Sequence, residues 1–155
     1  MEELLKNADI ISYPLFSLKG LISKAKLLAN YDGDTADILF IYDNKPIHMK
    51  ARFYGYDSSE IKPHLNDPKR DEKKKKAIEA KERLWILCTN NNPKNLIKIK
   101  CLEFDKYGRI LIIVVNEDKE IDGLNDEEIF KISINKQMID EGHGYSYYGG
   151  TKMQS

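Results

Sequence analysis

Five apolar runs of strand length, one long helical stretch between the third and fourth, and turn-forming residues at the joints predict an α+β domain. The architecture that suits this order is a small closed five-stranded β-barrel of the OB type with helices packed on it. A length of 155 residues suits one domain with one substantial core. The domain is read over residues 23–148, after an N-terminal extension at 1–22 and before a tail at 149–155 expected to be mobile.

The extension starts helix-prone, turns irregular around Tyr13-Pro14, and is expected to pack on or cap the domain. Ser23 to Tyr31 reads as the first strand, and Gly33 is expected to bend the chain through a positive φ. Thr35 to Tyr42 is the second strand, with Ala36, Ile38, Phe40 and Tyr42 on one face. Asp43-Asn44-Lys45 makes the turn. Pro46 to Tyr54 then alternates, with Ile47, Met49, Ala51 and Phe53 inward and His48, Lys50, Arg52 and Tyr54 outward.

A helix is predicted with Asp67 as its N-cap and Pro68 at its first position, running to Thr89. Ala77, Ala80, Leu84, Leu87 and Cys88 form its apolar stripe, with Ile78 and Trp85 beside them, and Asn90-Asn91-Asn92-Pro93 stops it. Asn95 to Phe104 and Arg109 to Val115 supply the last two strands, the latter apolar on both faces and so central. Asn116 to Glu128 is acidic and reads as a long hairpin or loop. A short helix follows over Ser133 to Glu141, ended by Gly142.

Lys+Arg and Asp+Glu both number 25, so the chain carries no net charge and does not coat nucleic acid by bulk electrostatics. A local basic wall remains compatible with that balance. The acidic start is no signal peptide and no apolar run is long enough to span a membrane, so the chain is read as intracellular, with no obligate protein partner evident. Cys88 and Cys101 sit at apolar positions and are read as buried thiols.

Two corners carry the candidate chemistry, an acidic one spanning residues 31–60 and a second, Asp105-Lys106-Tyr107-Gly108-Arg109, that supplies another arginine. Tyr31-Asp32-Gly33-Asp34-Thr35 places two carboxylates about a glycine where one strand breaks off, and Arg52 leads through a turn to Asp57, Ser58 and Glu60. Carboxylates from two strand ends with a loop carbonyl suit a hard cation, although Asp-Gly-Asp-Thr is also a common polar turn. Arginine is scarce: only Arg52, Arg70, Arg83 and Arg109 occur. Arg70 and Arg83 lie in the lysine-rich helix, where solvation accounts for them. Arg52 in mid-strand and Arg109 at a turn offer the planar, bidentate grip on phosphate that lysine lacks, with a surface ion pair as the alternative. Glu60, three residues beyond Asp57, is spaced to orient or deprotonate a water beside the cation.

Together these residues resemble the staphylococcal nuclease (thermonuclease) family over most of the chain, in order from about residue 23 to residue 148. The specific pieces are Tyr-Asp-Gly-Asp-Thr at 31–35, Arg-x4-Asp-x2-Glu at 52–60 and Lys-Tyr-Gly-Arg at 106–109. The resemblance implies an OB-fold barrel and Ca²⁺-dependent hydrolysis of DNA and RNA with little sequence preference, leaving 3′-phosphate ends. It implies Asp34 and Asp57 as carboxylate ligands, the Ser58 backbone carbonyl as a further ligand, and Asp32 just behind them. It makes Glu60 the general base and Arg52 and Arg109 the phosphate grip. Lys106 and Tyr107 match residues lining the nucleotide pocket, and Tyr147 or Tyr148 matches the base-side aromatic.

This chain departs from the family in carrying Ser58-Ser59 where Thr-Pro is usual, and in the acidic segment 116–128. Two functions of different class follow: an active metal-dependent nuclease, or an OB-fold module that binds nucleic acid or protein without catalysis. The complete set Asp34, Arg52, Asp57, Glu60 and Arg109 favours the enzyme.

Overall fold

The computed structural model describes residues 1–59 and 62–147. After helix α1 (Glu2–Asn7), the barrel strands are β1 (Ile22–Asn30), β2 (Thr35–Tyr42) and β3 (Lys45–Phe53). The short β4 (Gly55–Asp57) and the long α2 (Arg70–Thr89) follow, then β5 (Ile97–Phe104) and β6 (Ile110–Asn116). Helices α3 (Asp126–Lys131) and α4 (Ile134–Asp140) and the short β7 (Tyr145–Tyr147) complete the order. The five long strands close into a mixed barrel in the order β1-β2-β3-β6-β5, an OB-like α+β fold with one parallel pairing, β3 with β6.

The predicted strand faces hold where they matter. Ala36, Ile38 and Phe40 of β2, and Ala51 and Phe53 of β3, are buried in the barrel. Complete burial of a side chain such as Phe40 contributes on the order of 1.5–3 kcal/mol, so this alternation drives closure. Tyr42 is exposed at the hairpin end. Asp43 and Asn44 adopt φ of 53° and 60°, the left-handed pair that a two-residue hairpin needs.

Strand β6 is apolar on both faces because two cores meet there. Ile110, Ile112 and Val114 face the barrel interior, whereas Ile113 and Val115 pack with Leu102, Ile121 and Ile129. The segment 116–128 is therefore not simply a loop. Ile121 anchors it, and Asn125 with Glu128 forms a reciprocal capping box that starts α3 at Asp126. The buried Asn135 of α4 then continues the ladder where β3 runs out. Its Oδ1 accepts the Val114 N–H, and its Nδ2 donates to the carbonyls of Tyr54 and Ile112.

Several expectations need correction. Helix α2 begins at Arg70 rather than Pro68, because Asp67 spends its side chain on a preceding turn, accepting the Lys69 N–H at 2.9 Å and pairing with Lys73. Ala77, Ala80, Leu84 and Cys88 are buried as predicted, but Ile78 is half exposed. Arg83 is not simply solvated: it pairs through two nitrogens with Glu141, at 2.6 and 3.0 Å, and ties α2 to the end of α4. The extension caps the barrel only through its last residues. Residues 1–17 are exposed, Phe16 rests against Tyr42 and Phe104, and Leu18 is buried. Both cysteines are free and buried, and burial pushes the Cys101 thiol up to about 12 and Cys88 further. Among the described residues no helix is long and apolar enough to cross a membrane. The tail at 149–155 lies outside the described residues.

Candidate functional site

The loop between β1 and β2 is built around its own backbone. Asp32 Oδ1 accepts the N–H groups of Asp34 and Thr35 at 2.9 and 2.7 Å, folding the tight acidic corner. Asp32 thus shapes the loop that carries Asp34. Gly33 serves close approach rather than a positive φ. A Cβ there would lie 2.8 Å from both the Ala80 and Ser58 side chains, so only glycine lets α2 and the 58 segment close on the loop. The buried Tyr56 hydroxyl clamps the same point, donating to the Gly33 carbonyl at 2.6 Å.

Asp34 is almost fully buried, and both its oxygens are occupied. Oδ1 accepts from the Thr35 hydroxyl at 2.9 Å and from Arg52 at 2.8 Å. Oδ2 accepts the Ser58 amide and hydroxyl at 2.8 and 3.1 Å. Burial, reinforced by the neighbouring Asp32 charge, raises the Asp34 carboxyl above the ordinary carboxylate range, and Arg52 opposes that rise.

Asp57 reaches the same corner from the other side. Gly55, at φ 94°, bends the chain between β3 and β4, and β4 pairs with β7, with Asp57 opposite Tyr145. Asp57 Oδ1 lies 2.8 Å from the second terminal nitrogen of Arg52, which also donates to the Tyr56 carbonyl at 3.3 Å. Arg52 therefore bridges the two acids with a side chain only 14% exposed. Burial works against its charge, but Asp34, Asp57 and Asp32 outweigh that and hold its pKa above the usual guanidinium value.

The second corner is the turn between β5 and β6. Asp105 Oδ1 accepts the N–H groups of Tyr107 and Arg109 at 2.8 and 2.9 Å, and its Oδ2 takes the Arg109 Nε at 2.7 Å. Burial works against the Asp105 charge, but these bonds prevail and lower its pKa. The Arg109 and Lys106 cations both lie 5.2 Å from the centre of the Tyr107 ring. Gly108 takes φ 82° to make the turn.

Arg52 and the 105–109 turn line one cleft of about 340 Å³. Arg52, Asp105, Lys106, Tyr107, Arg109 and Tyr147 are among its lining residues, and the Arg52 guanidinium sits 5.9 Å from the Tyr147 ring centre. Sequence reasoning thus named five residues that come together here: Arg52, Lys106, Tyr107, Arg109 and Tyr147. Asp34 and Asp57 join them through Arg52, with Asp32 directly behind. Ser58 enters through its amide and hydroxyl, a role that the expectation of a carbonyl ligand did not contain. Glu60 and Tyr148 lie outside the described residues.

Three participants were missed. The Thr35 hydroxyl donates to Asp34, Asp105 orients Arg109, and Tyr56 fixes the Gly33 carbonyl. Asp105 had a readable signal, an acid that opens a glycine turn four residues before an arginine. Tyr56 reaches Gly33 across 23 residues, whereas Thr35 is the chain neighbour of Asp34.

Asp34 and Asp57 offer the hard oxygens that Ca²⁺ takes, and they already hold one positive group between them. In that sense the donor set fits a divalent cation. Among the described residues, however, no three His, Cys, Asp or Glu side chains converge on a common point. No protein-family model matches the chain, and no curated protein matches it either.

Proposed function

We propose that the chain is a metal-dependent phosphodiesterase that hydrolyses DNA or RNA with little sequence preference, akin to the staphylococcal nuclease family. The observation that carries this reading is the convergence of Arg52 and Arg109 on one cleft, with two carboxylates joined to one of them. Attack on a phosphodiester gathers negative charge on the phosphoryl oxygens, and two guanidiniums lining the cleft would oppose it where it develops. Asp34 and Asp57 would hold the cation, with Ca²⁺ as the leading candidate. When bound, such an ion supplies Lewis-acid stabilisation of the same charge.

The remaining work falls to the chain's own residues. Arg109, fixed at Nε by Asp105, has no partner for its terminal nitrogens among the described residues and presents them to phosphate. Tyr107 and Tyr147 offer ring faces for bases, a grip that tolerates any sequence and contributes about 1–3 kcal/mol per base. Glu60 is assigned the proton taken from the attacking water, on its spacing from Asp57.

Digestion of plasmid DNA and single-stranded RNA, with and without chelator, tests the reading. Cleavage that chelator stops, and that Glu60→Gln lowers by at least about a hundredfold, is the expected result. Intact substrate under all divalent cations would remove the enzyme. The second reading, an OB-fold module that binds without cutting, draws on the ion-pairing of Arg52 to both acids. It predicts retention of nucleic acid on a filter with no cleavage at any cation concentration.

A further inference from the structure

We propose that Arg52 is an exchangeable plug. Its guanidinium occupies the position between Asp34 and Asp57 in the free protein, and it leaves that position for the adjoining cleft when a divalent cation takes the acid pair. The inference rests on the reading of Asp34 and Asp57 as cation ligands given above.

Three observations carry it. The first is stoichiometry of place. Each acid gives its Oδ1 to a different terminal nitrogen of the same guanidinium, both at 2.8 Å, so Arg52 and an ion bridging the acids through these oxygens would exclude each other. The second is the short path between the two destinations. Arg52 already lines the cleft with Arg109 and Tyr147, so side-chain rotation suffices. Its backbone cannot shift easily, because β3 is paired at this residue with Thr35 on one side and Leu111 on the other. The third is that Asp34 is not stripped when Arg52 leaves. The Thr35 hydroxyl and the Ser58 amide and hydroxyl still donate to it and keep the carboxylate aimed.

The device gives the site an order of events. With its terminal nitrogens spent on Asp34, Asp57 and the Tyr56 carbonyl, Arg52 grips phosphate only once the acid pair has another positive partner. Arg109, held through Nε and against the Tyr107 ring, has no acid on its terminal nitrogens among the described residues and is available throughout. Arginine rather than lysine is needed for the plug, since a planar fork spans two carboxylates and a single ammonium does not.

Titration of the full chain with Ca²⁺ alone tests the proposal by two readouts that do not involve cleavage. Nitrogen NMR of the arginine guanidiniums is expected to show hindered Arg52 Nη rotation in the free protein. Saturating Ca²⁺ should release that rotation and leave the Arg109 signals in place. Calorimetry is expected to give about tenfold tighter Ca²⁺ binding to Arg52→Lys, which keeps the charge but loses the bridge. Arg52 signals unchanged at saturating Ca²⁺ would overturn the plug while leaving the cation reading intact, and this arm uses the unmodified chain. Equal or weaker binding by a folded Arg52→Lys would overturn the competition. Absence of Ca²⁺ binding in both proteins would overturn the cation reading and the plug together.

Discussion

The two arginines that face the cleft are held in opposite ways. Arg52 is deep in a paired strand, its terminal nitrogens bound to two acids and a carbonyl. Arg109 stands at a turn and is anchored through Nε to one acid four residues away. The first arrangement needs partners from two separate segments, the 31–35 loop and β4, and the second closes within a single turn. One charge is thus structural until something relieves it, whereas the other is presented to the cleft from the start.

The largest expected effect separates the two by activity. Arg109→Lys should lower cleavage by about 10²–10³-fold with the melting temperature unchanged, as loss of one oxyanion donor does. A variant that cuts at the wild-type rate would take Arg109 out of the chemistry. Stability should reverse the ranking. Arg52→Ala leaves buried Asp34 without its cation and is expected to destabilise by about 3–5 kcal/mol in urea unfolding. Arg109→Ala should change stability by about 1 kcal/mol or less. Equal losses would mean that the two corners are held alike after all.

Gly33→Ala sharpens the contrast at the first corner alone. With Ala80 and Ser58 each 2.8 Å from the new methyl, overpacking is expected to destabilise by about 1–3 kcal/mol. Amide shifts in an NMR map should spread through residues 31–35 and Ser58 and spare the 105–109 turn.

The smallest effects lie in the pH dependence, where the corners have opposite sign. The folded pKa of Asp34 lies above the ordinary aspartate value of 3.8, so just above that pH the folded state retains a proton the unfolded chain has released. Its contribution to stability is full at low pH and is lost as pH rises through the folded pKa. Asp105 is lowered below 3.8, so its contribution is present above that value and is lost as pH falls through its folded pKa. Asp34→Asn should therefore remove a falling limb from the stability profile, and Asp105→Asn a rising one. Limbs of the same sign would show that burial does not dominate at Asp34.

Much of this layout was legible in advance because it is local. Alternation placed β1, β2 and β3 to within a residue or two, since every second side chain of a strand meets the same environment. The Asp67-Pro68 helix start misled, because an Asp side chain stabilises a turn as readily as a helix cap and here Lys69 and Lys73 claim it. The capping pair Asn125 and Glu128 was present in the acidic segment but was outweighed by its polarity. The pairing of β4 with β7 left no usable pattern, since three residues are too few for a period.

By itself the sequence determined the strands, the long helix, the turns and the identity of the acids and arginines, because neighbours along the chain settle propensity and pattern. Which charge meets which was decided only by closure of the barrel. Ser58 reaches Asp34 across 24 residues, and Asn135 reaches Tyr54 across 81. Such contacts have no period to betray them: they exist because a packed interior leaves a buried polar group no water to turn to and obliges it to find whatever partner the fold brings near.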